Sequence, residues 1–334
     1  MPDLRKDPLT GRWVIIATER AKRPRDFQND SARLSSSYSP FSAGNESATP
    51  PEIRRYTDAR DPDGAAWTVR VIPNKFPALR VEGDLDGHAV GLYDAMQGVG
   101  AHEVIIETPR QNEQLEELPV WHVELVLRAW RDRIVDLKND RRLECAVVFK
   151  NHGAAAGASL EHAHSQLIAL PLVTDQLTRE LDRSRAYHAM RGRSIFEDMI
   201  AQELAAQERV VYEDARVVAI TPFASQHPFE VWIMPRAGFA SFEVSDQATL
   251  SASAAALKAV LGKLAAALDQ PSYNMMLYSA PFGAEHAPHY RWRLRVQPKL
   301  YRLAGFEHAS GFTINPTPPE VAARHLREID TTGR

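Results

Sequence analysis

The sequence predicts an α+β protein made of two tandem, related halves. Two runs of elements support this: residues 65–171 and 215–298 share the order strand, strand ending in proline, helix, strand, glycine-containing loop, strand ending in proline. Within each run, short β-type segments such as "HEVIIETP" and "FEVWIMP" flank a stretch of helical spacing. Chance similarity between α+β segments is the competing explanation.

Taken in chain order, residues 28–51, "QNDSARLSSSYSPFSAGNESATPP", have no apolar period and are rich in Ser, Pro, Gly and Asn, which predicts a long surface loop. "AAWTVRVIPNKFPAL" and "HEVIIETP" read as strands. Val123, Val126, Leu127, Trp130, Ile134 and Leu137 recur at helical spacing within 119–138. "LECAVVFK" is a strand, the loop "NHGAAAGASLE" follows, and "LEHAHSQLIALP" is the strand that ends the first run. A helical stretch over about 176–207 leads to the second run: "ARVVAITPF", "FEVWIMP", an Ala/Leu-rich helix near 246–268, "YNMMLYSAPFG" and "HYRWRLRVQP". The halves are placed at 1–172 and 173–334. Matching Pro171 to Pro298 without gaps sets His162 on His289, His164 on Arg291 and Gln166 on Arg293. The second copy keeps the strand and loses the motif, so one active site per chain is expected from the first copy, unless subunits complete each other's sites.

Composition narrows the class of partner. The 334 residues are 44% hydrophobic and 25% charged, enough for one large or two medium domains with a real core. A net charge of -3 with both signs mixed gives no basic footprint for nucleic acid and no polybasic membrane anchor. Small molecules are the expected partners. The single cysteine, Cys145, rules out an intrachain disulfide and a cysteine-based zinc cluster, and its apolar neighbours predict a buried strand residue. The N-terminal "MPDLRKDPLTGRW" has no apolar signal core, and no run approaches 18 uninterrupted apolar residues, so a cytoplasmic protein is expected.

On a strand, residues two apart share a face, so His162, His164 and Gln166 point one way while Ala163 and Ser165 point the other. A neutral imidazole is a good nucleophile near neutral pH, and its attack on phosphorus gives a phosphoramidate that a second acceptor can discharge. The glycine-rich "NHGAAAGAS" offers backbone N–H groups and the Ser159 hydroxyl as a cradle for phosphate oxygens. The same alternation also suits two metal ligands, or two solvent-facing strand residues.

The segments "DPLTGRWVIIATERAKRP", "SPFSAGNE", "IPNKFPAL", "GAHEVIIETPR", "FKNHGAAAGASLEHAHSQ" and "AGFEHASGFTINPTPPEVA" span nearly the whole chain. In this order they resemble the galactose-1-phosphate uridylyltransferase branch of the histidine-triad superfamily. The resemblance implies two histidine-triad-like halves with antiparallel sheets flanked by helices. It implies that His164 is the nucleophile that takes a nucleoside monophosphate from a nucleotide sugar, with Gln166 on a phosphate oxygen and His162 beside them. A glutamine, unlike a third histidine, cannot activate water as a base, which favours transfer over hydrolysis. Arg20 and Arg23 match the segment that contacts the nucleotide, although a solvated basic loop would look the same. Asn74 matches a nucleoside-binding asparagine, and Lys75 stands where uridylyl enzymes carry Asp, so that "NKFPAL" is closer to the ADP-glucose phosphorylase relatives. Asn151, Gly157 and Ser159 match the phosphate-side loop, and Glu307 matches a carboxylate that binds sugar hydroxyls, though a lone Glu is more often solvated.

The family's metal sites depart from the pattern. At the structural zinc positions stand Ser39, Ser42, Gln111 and His162, and at the second site Glu180 is joined by Tyr278, Arg293 and Arg295. A further pair of cysteine positions holds Ser194 and Glu197. Arginine stays protonated and cannot ligate a metal, so no metal and no cofactor are expected. Arg20, Arg23, Arg291 and Arg293 are then the expected cations around the phosphoryl oxygens. The reading is a cytoplasmic hexose-1-phosphate nucleotidylyltransferase of nucleotide-sugar and galactose metabolism, acting on a nucleotide sugar and a sugar 1-phosphate through a covalent nucleotidyl-His164. The alternatives are an ADP-sugar or dinucleoside-polyphosphate phosphorylase that uses inorganic phosphate and, from another class, a non-catalytic nucleotide-binding protein. By resemblance the chain is a homodimer.

Overall fold

A computed structural model of the chain describes residues 2–22, 38–61, 64, 66–302 and 304–330. In chain order the strands are β1 (Asp3–Lys6), β2 (Trp13–Ile16), β3 (Arg54–Tyr56), β4 (Val69–Pro73), β5 (His88–Val90), β6 (Tyr93–Ala95) and β7 (Ala101–Ile106). Helix α1 (Val120–Leu137) precedes β8 (Cys145–His152) and β9 (His164–Leu170), and α2 (Asp175–Arg191) and α3 (Ile195–Ala206) follow. Then come β10 (Val210–Glu213), β11 (Val217–Ile220), β12 (Val231–Pro235), α4 (Gln247–Leu268), β13 (Tyr273–Tyr278), β14 (Arg293–Pro298), α5 (Gly305–Ser310), β15 (Thr313–Asn315) and α6 (Pro319–Glu328).

Ten strands form one antiparallel sheet in the order β10-β11-β12-β14-β13-β8-β9-β7-β4-β3. Read outward from the β8–β13 seam, the two sides match strand for strand. β8, β9, β7, β4, β3 on one side answer to β13, β14, β12, β11, β10 on the other, with α1 and α4 inserted at the same place in each. This is the repeat read from the sequence, now seen as topology. β15 joins β2 in parallel, beside β1, in a small second sheet.

Alternation along the strands makes two apolar layers. Val71, Ile105, Val148, Leu167 and Ala169 turn to α1, while Ile72, Val104 and Ile106 turn away and pack with Phe41 and Trp67. In the second half Val217, Ala219, Val231, Ile233, Leu294 and Val296 share the core of α1 and α4. Val218, Ile220, Trp232 and Met234 meet Leu177 and Leu181 of α2 and Ile195 and Phe196 of α3. Each fully buried Leu or Val of this kind contributes roughly 1.5–3 kcal/mol. Helix α4 is long and apolar enough to cross a membrane, but Leu250, Leu257, Val260, Leu261 and Leu264 are buried against the sheet and α1. Cys145 is buried in β8, as expected.

Two expectations change. The helical stretch over 176–207 is two helices, because Gly192 adopts φ 70 and closes α2, and Ser194 opens α3 with its hydroxyl accepting from Phe196 N–H in a reciprocal capping box with Glu197. The expected surface loop over 28–51 is partly core: Ser39 and Phe41 are buried, and Glu46 accepts the Trp67 indole N–H at 2.7 Å. Of the two aromatics in this serine-rich stretch Tyr38 stays exposed, and Phe41 packs the loop down onto the sheet. Residues 28–37 lie outside the described residues.

Candidate active site

The loop around Ser39 and Phe41 lies on the face of the first half that α1 leaves open, and there β9 presents His164, with His162 two residues before the strand. Ser165 points to the helix side, where its hydroxyl accepts from the Trp130 indole at 2.8 Å, so His164 and Gln166 point to the open side. Only 7% of the His164 surface is exposed, and its Nδ1 lies 2.7 Å from the carbonyl oxygen of His162. That carbonyl can only accept, so the Nδ1 atom bears the proton and Nε2 keeps its lone pair. Burial is the main force that pushes the His164 pKa down, to about 4, with the nearby Lys150 charge acting in the same direction. The ring is therefore neutral at physiological pH, with Nε2 ready as a nucleophile.

His162 is spent differently. Its Nε2–H donates to the Thr108 carbonyl at 2.7 Å, and its Nδ1 accepts from the Ser39 hydroxyl at 2.9 Å. The Phe41 ring meets both imidazoles edge-on, with centroid separations of 5.9 Å to His162 and 5.4 Å to His164. A zinc here would need a free His162 ring nitrogen, and both are hydrogen-bonded, together with thiolates that this chain lacks. Two serines, a glutamine and an imidazole with both nitrogens hydrogen-bonded do not fit the metal.

Gln166 is fixed from one side. Its Oε1 accepts from His102 Nε2 at 2.8 Å and from Asn74 Nδ2 at 3.3 Å. Asn74 is held in turn by its backbone N–H on the His102 carbonyl at 2.8 Å and by its Oδ1, which accepts from Phe76 N–H at 2.9 Å. Sequence reasoning placed Asn74 and Gln166 here and missed His102, which occupies an inward position of β7 beside them. It also missed Lys150, which lies on the helix side of β8. The Lys150 ammonium donates to Glu107 at 2.6 Å and to the His164 carbonyl at 3.3 Å, so a buried ion pair grips the His164 backbone.

The remaining expected residues fall at different distances from this cluster. Asn151, next to last in β8, has its Oδ1 accepting from Asn274 Nδ2 at 2.8 Å, across the seam between the halves. Gly157 has φ +86, and Gly153, at φ +78, leaves so little room that a Cβ there would lie 2.1 Å from Ser272 Oγ. The loop is less of a phosphate cradle than its glycines imply, because the N–H groups of Ala156, Gly157 and Ala158 bond carbonyls of the loop itself. Ser159 and Lys75 are exposed, as is Arg20 in the middle of a short 3-10 turn. Arg23 lies outside the described residues. Glu307 caps α5 by accepting from Ala304 N–H at 3.1 Å, and its hydrogen bonds among the described residues stay within that helix.

Arg291 and Arg293 cannot serve the phosphoryl oxygens of this site. Arg293 opens β14 and Arg291 lies two residues before it, three strands from β9, about 14 Å at the usual strand spacing of ~4.8 Å. Arg293 makes a buried two-pronged pair with Glu180, at 2.7 and 2.9 Å, and its guanidinium lies between the rings of Trp232 and Tyr278. The Tyr290 hydroxyl at 3.0 Å and Gln176 Nε2 at 3.2 Å also donate to the carboxylate. Burial pushes the Glu180 carboxyl up, and the paired guanidinium outweighs it, leaving the group below the ordinary carboxylate range. At the family's second metal position a fixed organic cation thus holds the glutamate, and a metal does not fit. Arg291 donates to the backbone carbonyls of Pro235 and Arg236 at 3.3 and 2.9 Å.

Comparison with known proteins agrees with this geometry. The family model "Galactose-1-phosphate uridyl transferase, N-terminal domain" matches residues 1–174, and a model for a domain of unknown function matches residues 109–332. An ADP-glucose phosphorylase from Arabidopsis thaliana is 35% identical over 99% of this chain and 94% of its own length. A galactose-1-phosphate uridylyltransferase from Thermotoga maritima is 27% identical over 99% of both chains. The crystal structure of an Arabidopsis thaliana ADP-glucose phosphorylase with bound ADP-glucose superposes with a TM-score of 0.85 at 34% identity, covering 99% of this chain and 100% of that one. The buried, singly tautomeric His164, the glutamine beside it and these likenesses lead to one conclusion: the chain belongs to the galactose-1-phosphate uridylyltransferase family.

Proposed function

We propose that the protein transfers a nucleoside monophosphate from a nucleotide sugar to a phosphate acceptor by double displacement at His164. His164 Nε2 attacks the α-phosphorus. The bond from that phosphorus to the bridging oxygen breaks, and the sugar 1-phosphate departs with the oxygen and the electron pair. The ring acquires positive charge as the P–N bond forms, and the His162 carbonyl, 2.7 Å from Nδ1, stabilises that charge. A phosphate oxygen of the acceptor then attacks the same phosphorus, the P–N bond breaks, and neutral His164 is regenerated. The observation that supports this most is the His164 tautomer, fixed with its free lone pair on Nε2 in a ring that burial keeps neutral. With neither metal position suited to a metal, we propose that the protein needs none.

Two acceptors remain. The first reading uses a hexose 1-phosphate and a uridylyl donor, as in the uridylyltransferases. The second uses inorganic phosphate and an adenylyl donor. Greater identity to the ADP-glucose phosphorylase, 35% against 27%, and Lys75 after Asn74 favour this second reading. Incubation with UDP-, ADP- and GDP-sugars, each with phosphate or with a hexose 1-phosphate, separates them. A nucleoside diphosphate product identifies a phosphorylase, and a new nucleotide sugar identifies a transferase. No turnover with any pair would refute both readings.

A further inference from the structure

His102 stands outside every role assigned so far, although it touches the glutamine of the site. It is the second residue of β7, on the same open face as Val104 and Ile106, and the 74–78 segment folds over it. Its Nδ1 accepts from the backbone N–H of Ala78 at 3.1 Å. An amide N–H can only donate, so the neutral ring bears its proton on Nε2. That N–H faces Gln166 Oε1 at 2.8 Å. Asn74 Nδ2 reaches the same oxygen at 3.3 Å and lies 3.1 Å from His102 Nε2. In this tautomer the last separation is not a hydrogen bond but two donors side by side, converging on one acceptor.

This arrangement fixes the polarity of a group that has little preference of its own. A carboxamide turned by 180° keeps its shape and exchanges its oxygen for its N–H₂. Turned that way, Gln166 would set its two N–H donors against the donors of His102 and Asn74, and its oxygen would face the site. A carbonyl oxygen beside a phosphoryl oxygen repels it, whereas an N–H stabilises the charge that develops there. We infer that His102 is a positioning residue: its Nε2–H, fixed by Ala78, locks the Gln166 carboxamide with the N–H₂ toward the transferring phosphoryl group. The inference rests on the proposed nucleotidyl transfer through His164, and its test is built so that the two can fail separately.

His102→Phe keeps a ring and removes the donor, and His102→Gln offers a carboxamide N–H in its place. Single-turnover formation of the nucleotidyl enzyme is measured by intact mass, alongside nucleotide affinity and melting temperature, with and without Gln166→Ala. Removal of a preorganised donor costs roughly 10²–10³ in rate, and His102→Phe should lose at least about 10-fold because the carboxamide then loses its fixed position as well as its orientation, even exchange between the two orientations alone costing only about twofold. Affinity should stay within about twofold, and His102→Gln should recover part of the rate. In the Gln166→Ala background, His102→Phe should cost less than about twofold more. Equal losses in both backgrounds would mean that His102 only holds the 74–78 segment, and would overturn the inference, as would an unchanged rate. If the wild type forms no adduct at all, the transfer proposal fails, and ¹⁵N-histidine NMR decides the geometry alone. His102 is expected as the Nε2–H tautomer and His164 as the Nδ1–H tautomer, and an Nδ1–H His102 would refute the lock.

Discussion

At Ser39 one side-chain atom decides what the neighbouring histidine does. A hydroxyl oxygen in this position hydrogen-bonds His162 Nδ1, and with Thr108 on Nε2 the ring is fixed without a metal. The account predicts that purified protein contains well under one zinc per chain and that a chelator changes neither the melting temperature nor the rate of adduct formation. A stoichiometric zinc whose removal lowers the melting temperature would contradict it. Ser39→Ala should instead destabilise by about 1–3 kcal/mol, because it leaves a buried ring nitrogen unpaired. Much at this scale was legible beforehand. Period-two spacing put His162, His164 and Gln166 on one face of a strand; the strand starts only at His164, but the His162 ring meets Phe41 as the His164 ring does, and Gln166 follows on the face of His164 with Asn74 alongside. His102 and Lys150 were not legible. His102 alternates with valine and isoleucine like any half-buried strand residue, and its role depends on Ala78, Asn74 and Gln166, up to 64 residues away. Lys150 in "VVFKN" carries no local sign of the glutamate 43 positions earlier that neutralises it.

Among the elements, the largest shift from the sequence reading is the β14 arginine row. Its parity was right, since Arg293 occupies the face opposite the α4 core as His164 does opposite α1. Its assignment to the phosphoryl group was wrong, because α2 supplies Glu180 directly above it and periodicity cannot show which helix covers which face. Arg293→Met should then destabilise by about 3–5 kcal/mol, since it leaves Glu180 buried with the hydroxyl of Tyr290 and the amide of Gln176 but no charge partner. Paired replacement of Glu180→Leu with Arg293→Met should recover most of that. Equilibrium denaturation measures both, and at a temperature where the single variant is folded its adduct formation should stay within about twofold of wild type. A specific loss of chemistry in the folded variant would put Arg293 back in the site. The break at Gly192 was missed for a related reason: both helices are amphipathic toward the same core, so their apolar positions run on across the turn.

On the scale of the whole molecule, one duplicated pattern gives one continuous ten-stranded sheet, and the halves differ in what lies on the face opposite α1 and α4. Over the second half α2 and α3 cover that face and bury a fixed ion pair. Over the first half, among the described residues, the segment around Phe41 and the 74–78 segment come down, leaving His164 at the edge of a partly covered surface. The order of the elements was readable in the sequence because each run carries the same punctuation. The strand order was not, because pairing β8 to β13 joins residues more than a hundred positions apart. The central claim is that this asymmetry leaves one nucleophile, His164. Protein mixed with ADP-glucose or UDP-glucose and no acceptor, quenched in base and read by intact mass and peptide mapping, tests it most directly. The account predicts a gain of one nucleoside monophosphate per chain on the peptide containing His164, absent from His164→Asn, which still binds nucleotide. An adduct on another residue, or steady turnover by His164→Asn, would contradict it.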